Sequence, residues 1–143
     1  MKSMKTIKQK VTLPAPPDRV MHAWLDSAEH SRMTGARAEI NPVVGGVFSA
    51  WDGTITGTTL LIDPQQHALE QSWRYDYDGW PFNEPSRLRL VFKPLHGGRT
   101  KLIMEHTLVP DRYAKDIEDG WHEYYWKPMQ IYFSQAAGGA AEE

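Results

Sequence analysis

One long amphipathic pattern near the end of the chain limits what the rest of the sequence can fold into. From about residue 112 to residue 135, apolar and aromatic side chains recur at three- and four-residue steps, which predicts a helix with one buried face. These side chains are Tyr113, Ile117, Trp121, Tyr124, Tyr125, Met129 and Tyr132. Pro128 removes one backbone hydrogen bond and predicts a kink, and the small, polar tail 136–143 is expected to fray. Whatever precedes this helix must cover its apolar face.

The preceding segments read mainly as short strands, because apolar and polar residues alternate between turn signals. A first strand is followed by two short helices and about six antiparallel strands. The predicted strands are Thr6 to Leu13, 47–51, 54–62, 67–75, 86–95 and 100–108, and the helices run from Pro17 to Leu25 and from Asp26 to about Met33. This order predicts a single α+β domain over residues 1–143, in which a curved antiparallel sheet of six to seven strands wraps around the C-terminal helix.

Two local features bear on how these strands pair. Gly57 lies inside a predicted strand and indicates a bulge or a bend. A loop of Gly97, Gly98 and Arg99 would pair Phe92 with Met104 on one face of the sheet.

Composition excludes several classes of site. The chain has no cysteine, so it holds neither disulfides nor thiolate zinc sites. A net charge of −2 argues against nucleic-acid binding, and no apolar run approaches the ~20 residues of a membrane helix. The basic N-terminus, 1–10, is not followed by the apolar segment of a signal peptide, so we expect a cytoplasmic protein. His122-Glu123 resembles the start of a zinc-protease helix, but Trp126 stands where the second histidine is required, and we expect neither metal nor cofactor.

A sheet curled around a helix leaves a cavity wherever facing side chains do not meet, and such cavities bind ligands. Its candidate lining residues are Phe48, Gln71, Trp73, Tyr75, Leu90, Phe92, Met104, His106, Trp121 and Tyr125. Gln71 and His106 are polar residues on otherwise apolar strand faces. Each either has a hydrogen-bonding partner within the protein or orients a ligand, and His106 could also act as an acid or base. No side chain is assigned a catalytic role.

Two further apolar features need a covering surface. Trp126, Met129 and Phe133 form a second helical stripe, which either neighbouring loops and short helices cover or which forms a homodimer or partner surface. The loop from Asp76 to Pro85 carries Trp80 and Phe82 and is a candidate lid.

An ordered set of short motifs resembles one known family over nearly the whole chain, from about Thr6 to Phe133. The motifs are Gly45-Gly46-Val47-Phe48, the Asp52-Gly53 turn with Gly57 after it, Leu69 to Arg74, Leu102-x-Met104-x-His106, Gly120-Trp121 and Tyr125-Trp126-x-Pro128. They are similar to the domain of the activator of heat-shock protein 90 ATPase, within the START-like, birch-pollen-allergen-like (SRPBCC) superfamily.

This resemblance implies a helix-grip fold with a cavity between the sheet and the C-terminal helix. Relatives in the superfamily bind lipids, sterols, hormones and polyketides, and some are cyclases or dehydratases. The eukaryotic co-chaperone has an additional N-terminal domain that carries its ATPase-stimulating motif, and these 143 residues leave no room for it. The resemblance supplies no catalytic residue.

Three functions therefore remain open. The first is a binding protein for a small apolar or aromatic ligand. The second is a stress-related protein that contacts a chaperone. The third is an enzyme of the cyclase or dehydratase kind that uses His106.

Overall fold

The computed structural model describes residues 3–77, 80 and 85–142, with the backbone alone for 136–142. Seven strands, four α-helices and one π-helical segment are found in this part of the chain. The strands are β1 (Met4–Leu13), β2 (Glu39–Ile40), β3 (Val47–Ala50), β4 (Ile55–Asp63), β5 (Ala68–Tyr75), β6 (Ser86–Leu95) and β7 (Arg99–Pro110). The helices are α1 (Pro17–Leu25), α2 (Ser27–Thr34) and a long C-terminal helix, which consists of α3 (Asp111–Trp121), a π-helical segment (His122–Trp126) and α4 (Lys127–Glu142).

The seven strands form one antiparallel sheet in the order β1-β7-β6-β5-β4-β3-β2. Strands β2 to β7 follow one another as a meander, and β1 closes against the last of them. The curved sheet packs around the C-terminal helix, with α1 and α2 following β1, so the predicted α+β helix-grip fold is confirmed. The sequence did not predict the short strand β2, because two residues are too few to show an alternation of apolar and polar side chains.

The two short helices are placed by local signals that the sequence makes plain. Pro17 occupies the first turn of α1, where its missing amide has no intrahelical partner to lose. Asp26 caps α2 by accepting a hydrogen bond from the Glu29 amide at 2.9 Å. The Glu29 side chain turns instead to Arg19, at 2.6 Å, and to the Tyr132 hydroxyl, at 2.6 Å. This buried carboxylate thereby ties α1 and α2 to the C-terminal helix.

Two buried indoles of the C-terminal helix are separated by five residues and not by the usual three or four. This spacing is why the apolar residues of the sequence fall into two helical stripes. Its buried side chains Ile117 and Trp121 follow ordinary helical spacing, and the next buried indole of the same face, Trp126, comes five residues later. The Lys127 amide bonds to the His122 carbonyl, an i to i−5 hydrogen bond that defines a π-turn. The π-turn precedes Pro128, which has no amide to donate, and the chain continues into α4.

The second stripe is part of the protein core. Trp126, Met129 and Phe133 are all buried, and the Trp126 Nε1 donates to Gln9 Oε1 of β1 at 2.7 Å. Arg19 of α1 lies over the Phe133 ring, 5.5 Å from its centroid. Strand β1 and helix α1 thus cover this stripe within the chain, and homodimer formation stays a prediction.

The end of the helix differs from the expected boundary. Helix α4 continues to Glu142, whereas the periodicity ended near Gln135. Fraying of the tail 136–143 stays a prediction.

The β6–β7 pairing differs from the expected register by two residues. Phe92 pairs with Leu102 and Leu90 pairs with Met104, since the hairpin closes between Leu95 and Arg99. The three loop residues are therefore His96, Gly97 and Gly98. A shift of two residues keeps every side chain on its predicted face, because side chains alternate along a strand.

Strand β7 departs from its alternation near its end. Leu108, expected on the inner face, has φ +58° and is 52% exposed. The β1–β7 register shifts here, since Ile7 pairs with His106 but Lys5 pairs with Val109. This bulge turns Val109 inward in place of Leu108.

Gly57 allows close packing between β4 and its neighbours. The register irregularity of β4 is not at Gly57, where a bulge or a bend was predicted, but between Thr59 and Leu61. A Cβ atom on Gly57 would overlap the Ser72 carbonyl oxygen and lie 2.7 Å from the Phe48 ring. Both groups are held by the sheet, so neither can move away cheaply.

We predict that Gly57→Ala lowers the free energy of unfolding by about 3 kcal/mol or more, because the new methyl group overlaps backbone. Urea denaturation followed by circular dichroism would measure the change. Gly120→Ala is the matched control, since its added Cβ meets only the Tyr124 ring at 3.5 Å within a helix. It should stabilise the protein by about 0.5–1 kcal/mol. Equal unfolding midpoints for Gly57→Ala and wild type would contradict the packing argument.

Candidate functional site

Three indole rings fill the concave side of the sheet. Trp24 of α1, Trp73 of β5 and Trp121 of α3 are at most 1% exposed. The ring centroid of Trp24 lies 6.1 Å from Trp73 and 6.5 Å from Trp121, and the Trp73 and Trp121 centroids are 5.3 Å apart. We call these three residues the indole cluster. It occupies the space in which the sequence analysis expected a ligand.

Gln71 serves the indole cluster and not a ligand. Its Oε1 accepts a hydrogen bond from Trp24 Nε1 at 3.0 Å, and its Nε2 donates to Thr59 Oγ1 at 3.2 Å. The side chain is 1% exposed. Of the two readings left open for Gln71, the partner within the protein is therefore correct.

His106 is likewise bonded within the protein. Its Nδ1 accepts from Trp121 Nε1 at 3.1 Å, and because an indole nitrogen can only donate, the proton of the neutral ring is on Nε2. Nε2 lies 2.7 Å from Ser86 Oγ, to which it donates, and Ser86 Oγ donates to the Trp73 carbonyl. Burial lowers the pKa of His106 to about 3, so the ring stays neutral at ordinary pH. Both nitrogens therefore have partners within the protein.

A second buried histidine, not singled out in the sequence, anchors the other side of the cluster. His30 of α2 donates from Nδ1 to the Trp24 carbonyl at 2.8 Å, and its Nε2 accepts from the Tyr125 hydroxyl at 3.0 Å. Burial lowers the pKa of His30 to about 4, although its bond to the carbonyl acts in the opposite direction. Tyr125 is thus fixed against α2, beside the indole cluster.

A cavity of about 250 Å³ lies at the edge of this core. It opens between the β3–β4 turn, the end of β5 and the C-terminal helix. We call it the mouth cavity. The residues that line it are Trp51, Thr54, Ile55, Tyr75, Tyr77, Asp116, Ile117, Gly120, Trp121, Tyr124 and Tyr125.

The walls of the mouth cavity are two aromatic pairs. Trp51 and Tyr124 meet edge to face with centroids 5.3 Å apart, and Tyr75 and Tyr77 stack at 5.1 Å with an interplanar angle of 10°. Trp121 lies behind them as the boundary with the indole cluster. The cavity therefore presents mostly ring surface.

The polar atoms of the mouth cavity are few. Burial raises the pKa of Tyr75, and that of Tyr77 is raised by burial and then by the charge of Asp116. Both hydroxyls thus remain protonated. The buried Trp51 Nε1 has no hydrogen-bond partner among the described residues. Such a donor has unused hydrogen-bonding capacity.

Three of the ten predicted site residues line the mouth cavity, namely Tyr75, Trp121 and Tyr125. The other seven do not. Phe48, Gln71, Trp73, Leu90, Phe92, Met104 and His106 are buried in the core. Their burial agrees with the predicted inward direction. Phe48 also lines a separate cavity beside β3 and β4.

Several residues of the cavity lining were not predicted from the sequence, because they lie in a turn or on the exposed surface of the helix. Trp51 was placed at the end of a strand, yet it has φ +52° and begins the turn before Asp52-Gly53. Asp116 and Tyr124 are exposed helix residues that pointed to no site by themselves. The adjacent residues Tyr124 and Tyr125 could have indicated an aromatic side chain outside the core, since two neighbours on a helix cannot both face one core.

Only part of the predicted lid lies among the described residues. Trp80 is 5% exposed, and its ring packs against Tyr113 at 5.9 Å and Tyr75 at 5.7 Å. Phe82 lies outside the described residues. The lid stays a prediction.

The model of the family "Activator of Hsp90 ATPase homolog 1-like protein" matches residues 14–134. The chain belongs to this family. Activator of 90 kDa heat shock protein ATPase homolog 1 from Mus musculus is 26% identical over 131 residues, and the human protein of that name is 25% identical. Each match covers 92% of this chain but 38% of the relative, so the chain spans well under half the length of these relatives.

Solved structures of the same fold extend beyond the family's own activators. An HSP90 activator from Plasmodium falciparum has a TM-score of 0.78 at 21% identity, covering 90% of this chain and 96% of that chain. The structure of Ara h 8.0201 has a TM-score of 0.71 at 16% identity, covering 93% and 99%. At this identity the likeness establishes the helix-grip fold alone.

No helix among the described residues is long and apolar enough to cross a membrane. Within the same residues, no group of three or more His, Asp or Glu side chains is arranged to hold a metal ion.

We predict that stability falls between pH 6 and pH 5, because both buried histidines must be neutral in the folded protein. Their pKa values, about 4 for His30 and about 3 for His106, lie below the value of about 6.5 in the unfolded chain. The unfolded state therefore binds protons first as the pH falls, and the free energy of unfolding should drop by about 2 kcal/mol over this unit. Urea denaturation at pH 7, 6 and 5 would measure the change.

His106→Gln tests the assignment. A glutamine offers an acceptor for the Trp121 indole and a donor for Ser86, but it does not titrate. The fall in stability between pH 6 and pH 5 should be about half that of the wild type. An unchanged fall in this variant would show that His106 is not one of the responsible groups.

Proposed function

We propose that this protein binds a small, largely apolar molecule in the mouth cavity. The proposal rests on a cavity of about 250 Å³ that is lined mainly by aromatic residues. These residues are Trp51, Tyr75, Tyr77, Trp121, Tyr124 and Tyr125. A concave, mostly apolar site with a few polar groups is the usual form of a small-molecule site. Each Å² of apolar ligand surface removed from water would contribute about 25 cal/mol before the costs of binding.

The volume limits the ligand to a compact molecule. Typical ligand pockets measure about 300–1,000 Å³, and this cavity is smaller. Behind it the indole cluster closes the interior, so a sterol or a long lipid chain does not fit without displacement of buried indoles. A molecule with one small ring system or a compact branched group fits the available volume.

A hydrogen-bond acceptor on the ligand would satisfy the Trp51 indole. This Nε1 is buried and unpartnered among the described residues, and the hydroxyls of Tyr75 and Tyr77, which line the same cavity, stay protonated. A carbonyl, ether or hydroxyl oxygen is the matching group. The proposed ligand is therefore apolar in most of its surface and carries at least one oxygen acceptor.

Binding is better supported than catalysis. The lining of the mouth cavity includes no histidine, serine, cysteine or lysine, and its titratable groups are Asp116 and tyrosines. His106, which the enzyme hypothesis needs, is hydrogen-bonded at both ring nitrogens outside this cavity. No pair of groups within the cavity matches a nucleophile and its base.

We predict that Tyr124→Ala weakens ligand binding about tenfold, because it removes one ring of the wall that Trp51 completes. A panel of small aromatic and branched oxygen-containing molecules is titrated against the protein while its tryptophan fluorescence is recorded, since Trp51 and Trp121 line the cavity. Ile131→Ala is the control, since Ile131 is similarly exposed on the same helix, 52% against 55%, and lies outside the cavity. No binding at millimolar concentration by any member of the panel would overturn the proposal.

A second proposed function is contact with a chaperone of the heat-shock protein 90 type. Family membership and the mouse and human relatives support it. Three exposed valines, Val43, Val44 and Val47, lie within five residues of one another and are 52–68% exposed. An apolar surface of this kind suits a protein partner.

We predict that purified heat-shock protein 90 binds the full chain and that Val44→Asp weakens this binding about tenfold, because a carboxylate would have to be desolvated at the contact. Ile131→Asp places the same charge on a similarly exposed residue elsewhere and should leave binding unchanged. Isothermal titration calorimetry measures the affinity, and the chaperone's ATPase rate is recorded separately. Absence of heat at micromolar concentrations of both proteins would remove this second function.

A further inference from the structure

The lining of the mouth cavity includes one charged side chain, and no side chain of opposite charge lies with it in that lining. Asp116 belongs to the lining, whereas the lining includes no lysine, arginine or histidine. Among the described residues Asp116 makes no ion pair within 4 Å. Lys115, its neighbour in the chain, is paired with Asp119 at 3.1 Å instead. The cavity therefore has a single, uncompensated negative charge at its opening.

The rings of the cavity add negative potential of their own. The face of an aromatic ring is the negative end of its quadrupole, and a cation within about 6 Å of a ring centroid is attracted to it. Trp51 with Tyr124 and Tyr75 with Tyr77 stand on different structural elements around one space. A small volume lined by several aromatic rings is the kind of site in which proteins bind quaternary ammonium groups.

The carboxylate of Asp116 belongs to the cavity lining, and its charge affects one of the lining tyrosines. It raises the pKa of the Tyr77 hydroxyl, after the larger effect of burial, so the carboxylate lies close enough to one wall ring to affect its ionisation. This carboxylate would repel an anionic ligand and attract a cation. A cation over the face of a lining ring would be attracted by that ring as well.

We infer that the mouth cavity selects an organic cation, a small ammonium compound that carries an oxygen acceptor. This inference rests on the proposed function and specifies its ligand class. The methylated ammonium group lies among the rings with Asp116 as its counter-ion, and the oxygen accepts from the Trp51 indole. Alkylated ammonium fits better than a bare ammonium, because methyl groups bury apolar surface against the rings while the charge stays close to them.

The test compares two molecules of the same shape and different charge. Choline and its uncharged carbon isostere, 3,3-dimethyl-1-butanol, share a branched head and a hydroxyl group. Each is titrated against the full chain by nuclear magnetic resonance, with the indole N–H signals as the readout. Choline should bind about tenfold more tightly than the alcohol.

Asp116→Asn and a control variant complete the experiment. The amide keeps the shape of the side chain and removes its charge, so choline affinity should fall severalfold while that of the alcohol stays unchanged. Glu118→Gln removes one charge from the same helix outside the cavity lining and should leave both affinities as they are. A general effect of net charge would appear equally in both variants and would overturn the inference.

The outcomes separate this inference from the proposed function. Equal affinities for the two probes, or tighter binding of the alcohol, overturn the cation preference and leave the proposed function standing. If neither choline nor the alcohol binds but neutral aromatic molecules do, the cation preference is likewise overturned and the proposed function stands. Failure of every molecule, charged and neutral, overturns both.

Discussion

The packing of Trp24, Trp73 and Trp121 is the contact on which the rest of the structure depends. It joins α1, β5 and α3, three elements far apart in sequence, at one point on the concave side of the sheet. Each neighbouring polar group is arranged around it, since Gln71 accepts from one indole and His106 from another. Aromatic pairs of this kind contribute about 0.5–1.5 kcal/mol beyond the area they bury. The curvature of the sheet and the position of the helix are therefore held by the same three rings.

This packing also decides where a ligand can go. In a helix-grip fold the space between sheet and helix is shared between core and cavity, and here the large indoles take most of it. What remains is the mouth cavity, at the edge where the C-terminal helix passes the β3–β4 turn. The residues that shape it come from a turn, a strand end and the C-terminal helix. Trp121 belongs both to this lining and to the indole cluster, whereas Trp51, Tyr77 and Tyr124 lie outside the cluster.

The sequence predicted the elements far better than it predicted the site. Strand β6 and helix α1 have the expected bounds, because alternation and a proline in a first turn are local signals. The β6–β7 register was wrong by two residues, since a hairpin with two glycines can close at more than one place. Periodicity placed Gln71 and His106 inside, but it does not tell whether the partner of a buried polar group is a ligand or another side chain. That answer depends on how rings from three distant elements meet, and no local pattern records it.

The π-turn in the C-terminal helix has a consequence for how this helix tolerates change. It holds one residue more than a regular α-helical path of the same length, and in this way Trp126 stacks on Trp121 although five positions separate them. Loss of a single residue between His122 and Trp126 would leave a regular helix in which Trp126 follows Trp121 by four positions, on the same face. Side chains further along, Phe133 included, would keep their places, so this segment can be one residue shorter without turning the rest of the helix.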